Sequence, residues 1–332
     1  MDKLVAFIGV VMALWIGRGL IIPLMTAVFL WYLTNAIAVY YKKIVRFDFL
    51  SRILAGSSLL GIFYLFITQI QPMFTELHSK MPEITLGAER ILSGLSDMIG
   101  IKMSFPDMPN MQSIFTNIGS SIASIGAGFG MILVYMIFIF MEQNTFSKKI
   151  HALFPSSRQF SKVSFILNSI DAHMKKYLFI KTGISLITAV FTYVFLKFVG
   201  VDFALVWAFL TFILNYIPTF GSITAVALPT IYVLAVSTDL RDSVTVCSVL
   251  TIFQIVFGNI LDPKLTGKTL NLSTLAILVN LVFWGIVWGP IGMFFSVPLL
   301  VATFVVCSQF DKTRWIAILL SSDGQIPDKK EE

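Results

Sequence analysis

Two apolar segments of this chain are too long for a single membrane helix, and each is broken near its middle by Gly and Pro. Ser273 to Ser308 runs for about 36 residues and is interrupted by Trp288-Gly289-Pro290-Ile291-Gly292. Phe203 to Val236 runs for about 34 and is interrupted by Asn215-Tyr216-Ile217-Pro218-Thr219-Phe220-Gly221. About 20 residues suffice to cross the hydrocarbon core. Pro removes a backbone donor and clashes with the preceding turn, while Gly loosens the ladder beside it. Each segment therefore reads as a helical hairpin, one with its tip at Gly289-Pro290 and one with its tip between Asn215 and Gly221. Backbone groups freed at membrane depth are tolerated only where they are buried in protein or line a wet cavity. Paired broken segments of this kind point to the binding site of a transporter.

The remainder of the chain is compatible only with a membrane protein. The full sequence is 57% hydrophobic and 13% charged, against roughly 25% charged in a soluble domain. The expected fold class is all-α: a polytopic helical membrane protein with about eight membrane elements, two of them broken hairpins. The net charge of +6 suits loops lying on an anionic leaflet, so membrane lipid is an expected partner and nucleic acid is not. Cys247 and Cys307 lie within apolar segments and read as small hydrophobes rather than a disulfide framework. The first apolar run continues past Arg18 without a clear small-residue cleavage site, so no cleavable signal peptide is expected.

In chain order, residues 1–72 hold three spans: Leu4 to Gly17, Leu20 to Tyr41 after a tight turn, and Leu50 to Ile70, closed by Gln71-Pro72. Residues 73–121 change character, with Lys80, Arg90 and Lys102 against Glu76, Glu83, Glu89, Asp97 and Asp107. This acidic excess argues for the non-cytoplasmic side, as a small cap or as a long loop. Residues 122–141 form the fourth span, opening with Gly126, Gly128 and Gly130, a spacing that either lets another helix approach or is ordinary membrane glycine usage. Residues 142–181 are basic and should lie inside, with Ser161 to Lys176 as an amphipathic helix along the inner surface. Residues 182–202 form the fifth span, the transport region covers 203–310, and a cytoplasmic tail covers 311–332.

Charge counting orients these elements. With both termini cytoplasmic, five spans put Gly200 outside, the first hairpin returns outside at Asp239-Leu240-Arg241-Asp242, and Val244 to Leu261 crosses inward. Lys264 and Lys268 then fall inside, as do Lys312 and Arg314 after the second hairpin. The two hairpin tips thus enter from opposite faces.

Few residues can carry chemistry. Asp262 stands out, because a carboxylate near membrane depth is costly unless paired or hydrated. Lys264 is its nearest partner in sequence, although both could equally be interfacial anchors. Asn215, Gln254, Asn259 and Asn280 are uncharged polar groups in apolar runs that either bind a cation or hydroxyls or bond neighbouring helices. Tyr216, Pro218, Gly221, Gly289 and Pro290 complete the substrate- or ion-binding candidates, as the residues that shape the two breaks. His78, His151 and His173 have no metal-ligand spacing. No phosphate-cradling G-x-x-x-x-G-K-[ST], H-E-x-x-H or G-x-S-x-G occurs, so neither an enzyme nor a pump with its own ATP hydrolysis is expected, and no cofactor is implied.

Asn215-Tyr216-Ile217-Pro218-x-x-Gly221, Asp262-Pro263-Lys264-Leu265-x-Gly267, Phe283-Trp284-Gly285 and Trp288-Gly289-Pro290-Ile291-Gly292-Met293 with Val297-Pro298-Leu299 fall in order along the chain. In these motifs the sequence resembles the autoinducer-2 exporter family of bacterial membrane proteins. The resemblance implies a transport protein of the bacterial inner membrane that exports or exchanges small solutes, often as a homo-oligomer. Family members are linked to autoinducer-2 export and to sodium/proton antiport, so a small solute, a monovalent cation or a proton is the implied partner. A secondary transporter is the expected function; a passive channel and a non-transporting structural membrane protein are the alternatives.

Overall fold

The computed structural model of the chain describes residues 2–79, 82, 86, 128–143, 145–237, 239–262, 265 and 271–326. Among these residues the secondary structure is helical apart from one isolated bridge between Leu272 and Ser321. The elements are α1 (Asp2–Ile16), α2 (Arg18–Val45), α3 (Asp48–Ser79), α4 (Gly128–Glu142), α5 (Phe146–Leu153), α6 (Ser157–Val199), α7 (Ala204–Leu214) and α8 (Phe220–Val236). They continue with α9 (Leu240–Phe253), its π-helical extension (Gln254–Leu261), α10 (Thr274–Trp288), α11 (Pro290–Ser308) and α12 (Arg314–Leu320). Among the described residues, four helices are long and apolar enough to cross a membrane: α2, α6, α9 with its extension, and α11. The bent pair α4–α5 makes a fifth if it forms one span. The shorter apolar helices α7, α8 and α10 are hairpin arms. The chain is a polytopic helical membrane protein.

Both hairpins form where the sequence breaks them, and both close by the same device. At the first tip, a Cβ on Gly221 would lie 1.8 Å from the Leu214 carbonyl oxygen, so only glycine permits α8 to leave so close to the end of α7. At the second tip, a Cβ on Gly292 would lie 2.0 Å from the Trp284 carbonyl oxygen. The reversal itself is at Gly289, with φ +68° and ψ −149°, a region essentially reserved for glycine. Pro290 follows as the first residue of α11, where its missing N–H costs nothing. The Asn280 side-chain amide donates to the Ser296 carbonyl at 2.6 Å and ties the arms together.

α1 and α2 part at Gly17, whose N–H donates to the Ala13 carbonyl and whose own carbonyl accepts from Ile21 N–H. Two sequence expectations change. The third span was expected to close at Gln71-Pro72, but α3 runs through Pro72 to Ser79, because a membrane helix survives the loss of one bond when its neighbours re-satisfy the backbone. The amphipathic surface helix and the fifth span are one 43-residue helix, α6. The Ser156 side chain caps its start by accepting from Gln159 N–H at 3.2 Å, and no proline follows to end it. At about 1.5 Å per residue α6 spans about 64 Å, twice the hydrocarbon thickness. Its amphipathic first turns therefore project from the membrane, where Ile166 is buried and Ile170 packs against Phe304, Leu272 and their neighbours. Most of the expected cap, together with Gly126, Pro263, Lys264 and Lys268, lies outside the described residues.

Three apolar clusters hold the described helices. Leu196, Trp207, Tyr232, Val246 and Leu250 join α6, α7, α8 and α9. Met174, Tyr177, Tyr216, Val297 and Val301 join α6, the first tip and α11, with Phe29 of α2 and Phe294 packed against them. Phe304, Val305, Cys307 and Ala317 join the foot of the second hairpin to α12.

Candidate functional site

One face of α6 carries polar groups where an apolar stripe would be expected. Tyr177, Lys181, Ser185, Thr188 and Thr192 recur at helical spacing and all are buried. Thr188 satisfies its hydroxyl on the Ile184 carbonyl at 2.8 Å. The Tyr177 and Ser185 hydroxyls have no hydrogen-bond partner among the described residues. Such a stripe inside a membrane helix is costly, so polar surface along it is there to meet something polar.

The charged member of the stripe is Lys181. It is 8% exposed, and its ammonium makes an ion pair with the Asp262 carboxylate, 81 residues further along. Asp262 follows directly after the π-helical extension of α9, so the pair joins α6 to the one described stretch with π geometry. π-helical turns in α-helices are concentrated at functional sites, because the extra residue unsettles the backbone ladder. Tyr177, one turn before Lys181, packs in the same buried cluster as Tyr216.

The same extension carries a polar notch. Gln254 is buried, and its side-chain oxygen has no partner among the described residues. A Cβ on Gly258 would meet that oxygen at 3.3 Å and the Ser222 hydroxyl at 3.4 Å. The absence of a side chain at Gly258 therefore leaves Gln254 and the first turn of α8 facing across a gap.

The two hairpin tips meet beside this seam. The Tyr216 ring lies 4.8 Å from that of Phe294 and 5.7 Å from that of Phe29, while Phe29 lies 5.0 Å from Phe294. The Tyr216 hydroxyl is 2.7 Å from the Thr182 hydroxyl on α6. Asn215 beside it is buried, with its amide nitrogen unpartnered among the described residues. The turn that presents these groups is strained: Thr219 sits at φ +58°, a conformation that β-branched residues almost never adopt. It costs of order 1–3 kcal/mol and persists only where the surroundings impose it. The second tip is anchored elsewhere too, since the Trp288 indole N–H donates to the Leu14 carbonyl of α1 at 3.0 Å.

The sequence candidates thus divide. Asn215, Tyr216, Gln254 and Asp262 line the seam, and Pro218, Gly221, Gly289 and Pro290 shape the tips that close on it. Asn280 bonds one hairpin arm to the other and faces no seam group. Asn259 is on the exposed side of the π-helical stretch. Lys264, expected to pair with Asp262, is outside the described residues, and Lys181 supplies the described partner instead. Lys181 reads in sequence as one more member of a basic block. Its i, i+4 spacing with Tyr177 and Ser185 is the signal that could have separated it from the surface lysines. No group of three or more His, Cys, Asp or Glu side chains able to hold a metal ion occurs among the described residues.

Comparison with known proteins agrees with this architecture. Residues 4–311 match the AI-2E family transporter. The chain is 29% identical over 336 residues to the AI-2 transport protein TqsA of Escherichia coli (strain K12), covering 96% of this chain and 95% of that protein. It is 26% identical to YhhT of the same strain, provisionally named a transport protein, over 90% of this chain and 86% of the relative. A provisionally named transport protein of Borreliella burgdorferi is 33% identical over 58% of this chain and 53% of its own length. A family match over nearly the whole chain, on a helical membrane fold with paired broken hairpins, makes this protein a member of the AI-2E family of membrane transporters.

Proposed function

We propose that this protein is a secondary transporter of the bacterial inner membrane that exports or exchanges a small solute or ion, working as a homo-oligomer. One observation carries the reading: the tips of two broken hairpins touch at Tyr216 and Phe294, against a buried polar seam on α6. Hairpins entering from opposite faces and meeting at mid-depth can part on one side and then on the other, which is the geometry alternating access requires. The region from Phe203 to Ser308 is the moving part, and the preceding helices are the frame. Asp262 is the coupling carboxylate; Asn215, Tyr216 and Gln254 are the polar groups that a solute would meet.

The relative TqsA is named for AI-2 transport, so an autoinducer-2-like molecule is the first solute to test, with a monovalent cation or proton as the coupled species. The basic residues between 142 and 181 lie inside, and Lys312 with Arg314 places the carboxy terminus there as well. With two helices over residues 4–41, the same charge count puts the amino terminus inside as well. The chain itself acts as no enzyme, and the driving force is an existing gradient.

The test is flux into proteoliposomes holding only this protein, with autoinducer-2, small polar solutes, Na⁺ and H⁺ as probes. Counterflow or gradient-driven uptake of one probe is the expected result. Flux that ignores every imposed ion and solute gradient identifies a passive channel, and no flux at all a structural membrane protein.

A further inference from the structure

A gap one side-chain atom wide lies between the π-helical extension and the first turn of α8. A Cβ on Gly258 would meet the Gln254 Oε1 at 3.3 Å and the Ser222 Oγ at 3.4 Å. Gln254 is 6% exposed, and its Oε1 has no hydrogen-bond partner among the described residues. A third wall comes from α6, which runs antiparallel to α9 and its extension. Lys181 pairs with Asp262, Phe191 lies 5.2 Å from Phe257, and Phe195 lies 6.1 Å from Phe253. Ser185 falls between the first two of these contacts, at the level of Gly258, and its buried hydroxyl is also unpartnered among the described residues. We propose that Gly258, Gln254, Ser222 and Ser185 form a subsite for one hydroxyl of a small neutral polyol, with Gly258 as the specificity-determining residue. The inference deepens the transport reading above and rests on it only for the movement of the solute.

The chemistry of the unpaired groups selects a hydroxyl. A buried amide oxygen without a partner forfeits its hydration and gains nothing back, so its retention calls for something that supplies the bond. Gln254 Oε1 needs a donor, and the Ser222 and Ser185 hydroxyls can donate or accept. Asn215, on the tip that delivers Ser222, holds a buried amide nitrogen in need of an acceptor. The close approach of Gly221 to the Leu214 carbonyl keeps Asn215 and Ser222 on one short turn. A hydroxyl answers both kinds of group, because it donates and accepts at once. A bare cation would use the oxygens and leave the Asn215 amide unanswered. Gly258 keeps the gap open, since the methyl of an alanine would stand where the hydroxyl has to enter.

The full chain is purified in detergent, and its thermal unfolding midpoint is followed in titrations with glycerol, erythritol and ribitol. Polyols excluded from the protein surface raise the midpoint of every variant alike and without saturation, so the saturable part is the reading. A saturable rise of about 2 °C or more with at least one polyol is expected for the natural protein. Gly258→Ala should move its half-maximal concentration up by about ten-fold or more. Gln254→Leu is expected to lose the saturable response while its midpoint without polyol stays level or rises, because an apolar group of similar shape replaces an unpaired acceptor. A purely packing role for these residues gives lowered midpoints with an unchanged polyol response, and that result overturns the proposal. So does a natural protein with no saturable response, or one in which Gly258→Ala removes a response to Na⁺ in place of choline and not a response to polyol. If Gly258→Ala is not recovered folded, Gln254→Leu and Ser222→Ala decide, and full response in both overturns the subsite. The two readings fail separately: saturable polyol binding without flux in proteoliposomes overturns transport and leaves the subsite, and gradient-driven flux without polyol binding does the reverse.

Discussion

Tyr216 and Phe294 come from hairpins whose tips are far apart in the chain, yet their rings lie 4.8 Å apart and 34° from parallel. Neither hairpin reaches this contact by its own sequence. Tyr216 is held by the Thr182 hydroxyl on α6, and Phe294 by packing against Phe29 of α2 at 5.0 Å. The tip-to-tip contact is therefore defined by the frame, and it can be broken without unfolding either hairpin.

Loss of that contact should change how easily the tips part. Aromatic pairs of this kind contribute about 0.5–1.5 kcal/mol beyond their buried area. In a double-mutant cycle of Tyr216→Leu and Phe294→Leu, a coupling of about that size is expected in thermal stability. Both single variants should raise passive leak of small polar solutes through proteoliposomes. A cycle with no coupling would show that the rings are merely neighbours.

The two close-packed glycines should be intolerant of any side chain. Gly221→Ala and Gly292→Ala each place a methyl carbon inside a backbone carbonyl's radius, and overpacking of this sort costs about 1–3 kcal/mol or more. Lower unfolding midpoints and a larger aggregated fraction on size exclusion are expected for both. Gly183→Ala is the control, since a Cβ there meets nothing within 4 Å. It should be neutral or more stable by up to about 1 kcal/mol, the helical preference of Ala over Gly.

At the foot of the second hairpin, Asn271 donates its amide to the Asp323 carboxylate at 2.8 Å and to the Gln325 carbonyl at 2.9 Å. The Asn271 hydrogen bond holds the Asp323 carboxyl below its ordinary range. A depressed folded-state value means that the carboxylate contributes stability above the unfolded value of about 3.9, and that this contribution fades as pH falls through the lower folded one. Limited proteolysis after residue 309 should therefore be slow at neutral pH and speed up below about pH 4. Asp323→Asn should be cut faster at neutral pH with a weaker pH response. An identical pH response in that variant would assign the effect to another group.

Charge placement predicts which loops share a side. In a variant lacking Cys247 and Cys307, single cysteines at Arg158 and Arg241 should label from opposite faces of sealed vesicles, with position 158 inside. Labelling of both from the same face would remove the opposed entry of the two hairpins.

Much of the architecture was legible because it is written locally. Gly221, Gly289, Pro290 and Gly292 sit in over-long apolar runs, and a break in such a run can only be a hairpin or a cavity-lining loop, since lipid satisfies no backbone group. The membrane class needed no more than composition. The unbroken α6 is not legible in this way, because a change of polarity looks alike in sequence whether a helix ends or simply leaves the bilayer.

The pairings across the fold could not be read this way. Asp262 stands out in sequence as a costly carboxylate with Lys264 as its nearest neighbouring cation, whereas the described partner Lys181 lies 81 residues earlier. Local spacing specifies which face a side chain occupies on its own helix, and so it contains the stripe of Tyr177, Lys181 and Ser185. It carries no information on which other helix that face will meet. That choice belongs to the packing of α6 against α7, α9 and α11, where apolar clusters around Leu196 and Tyr216 set the register and the buried charges are then obliged to find each other.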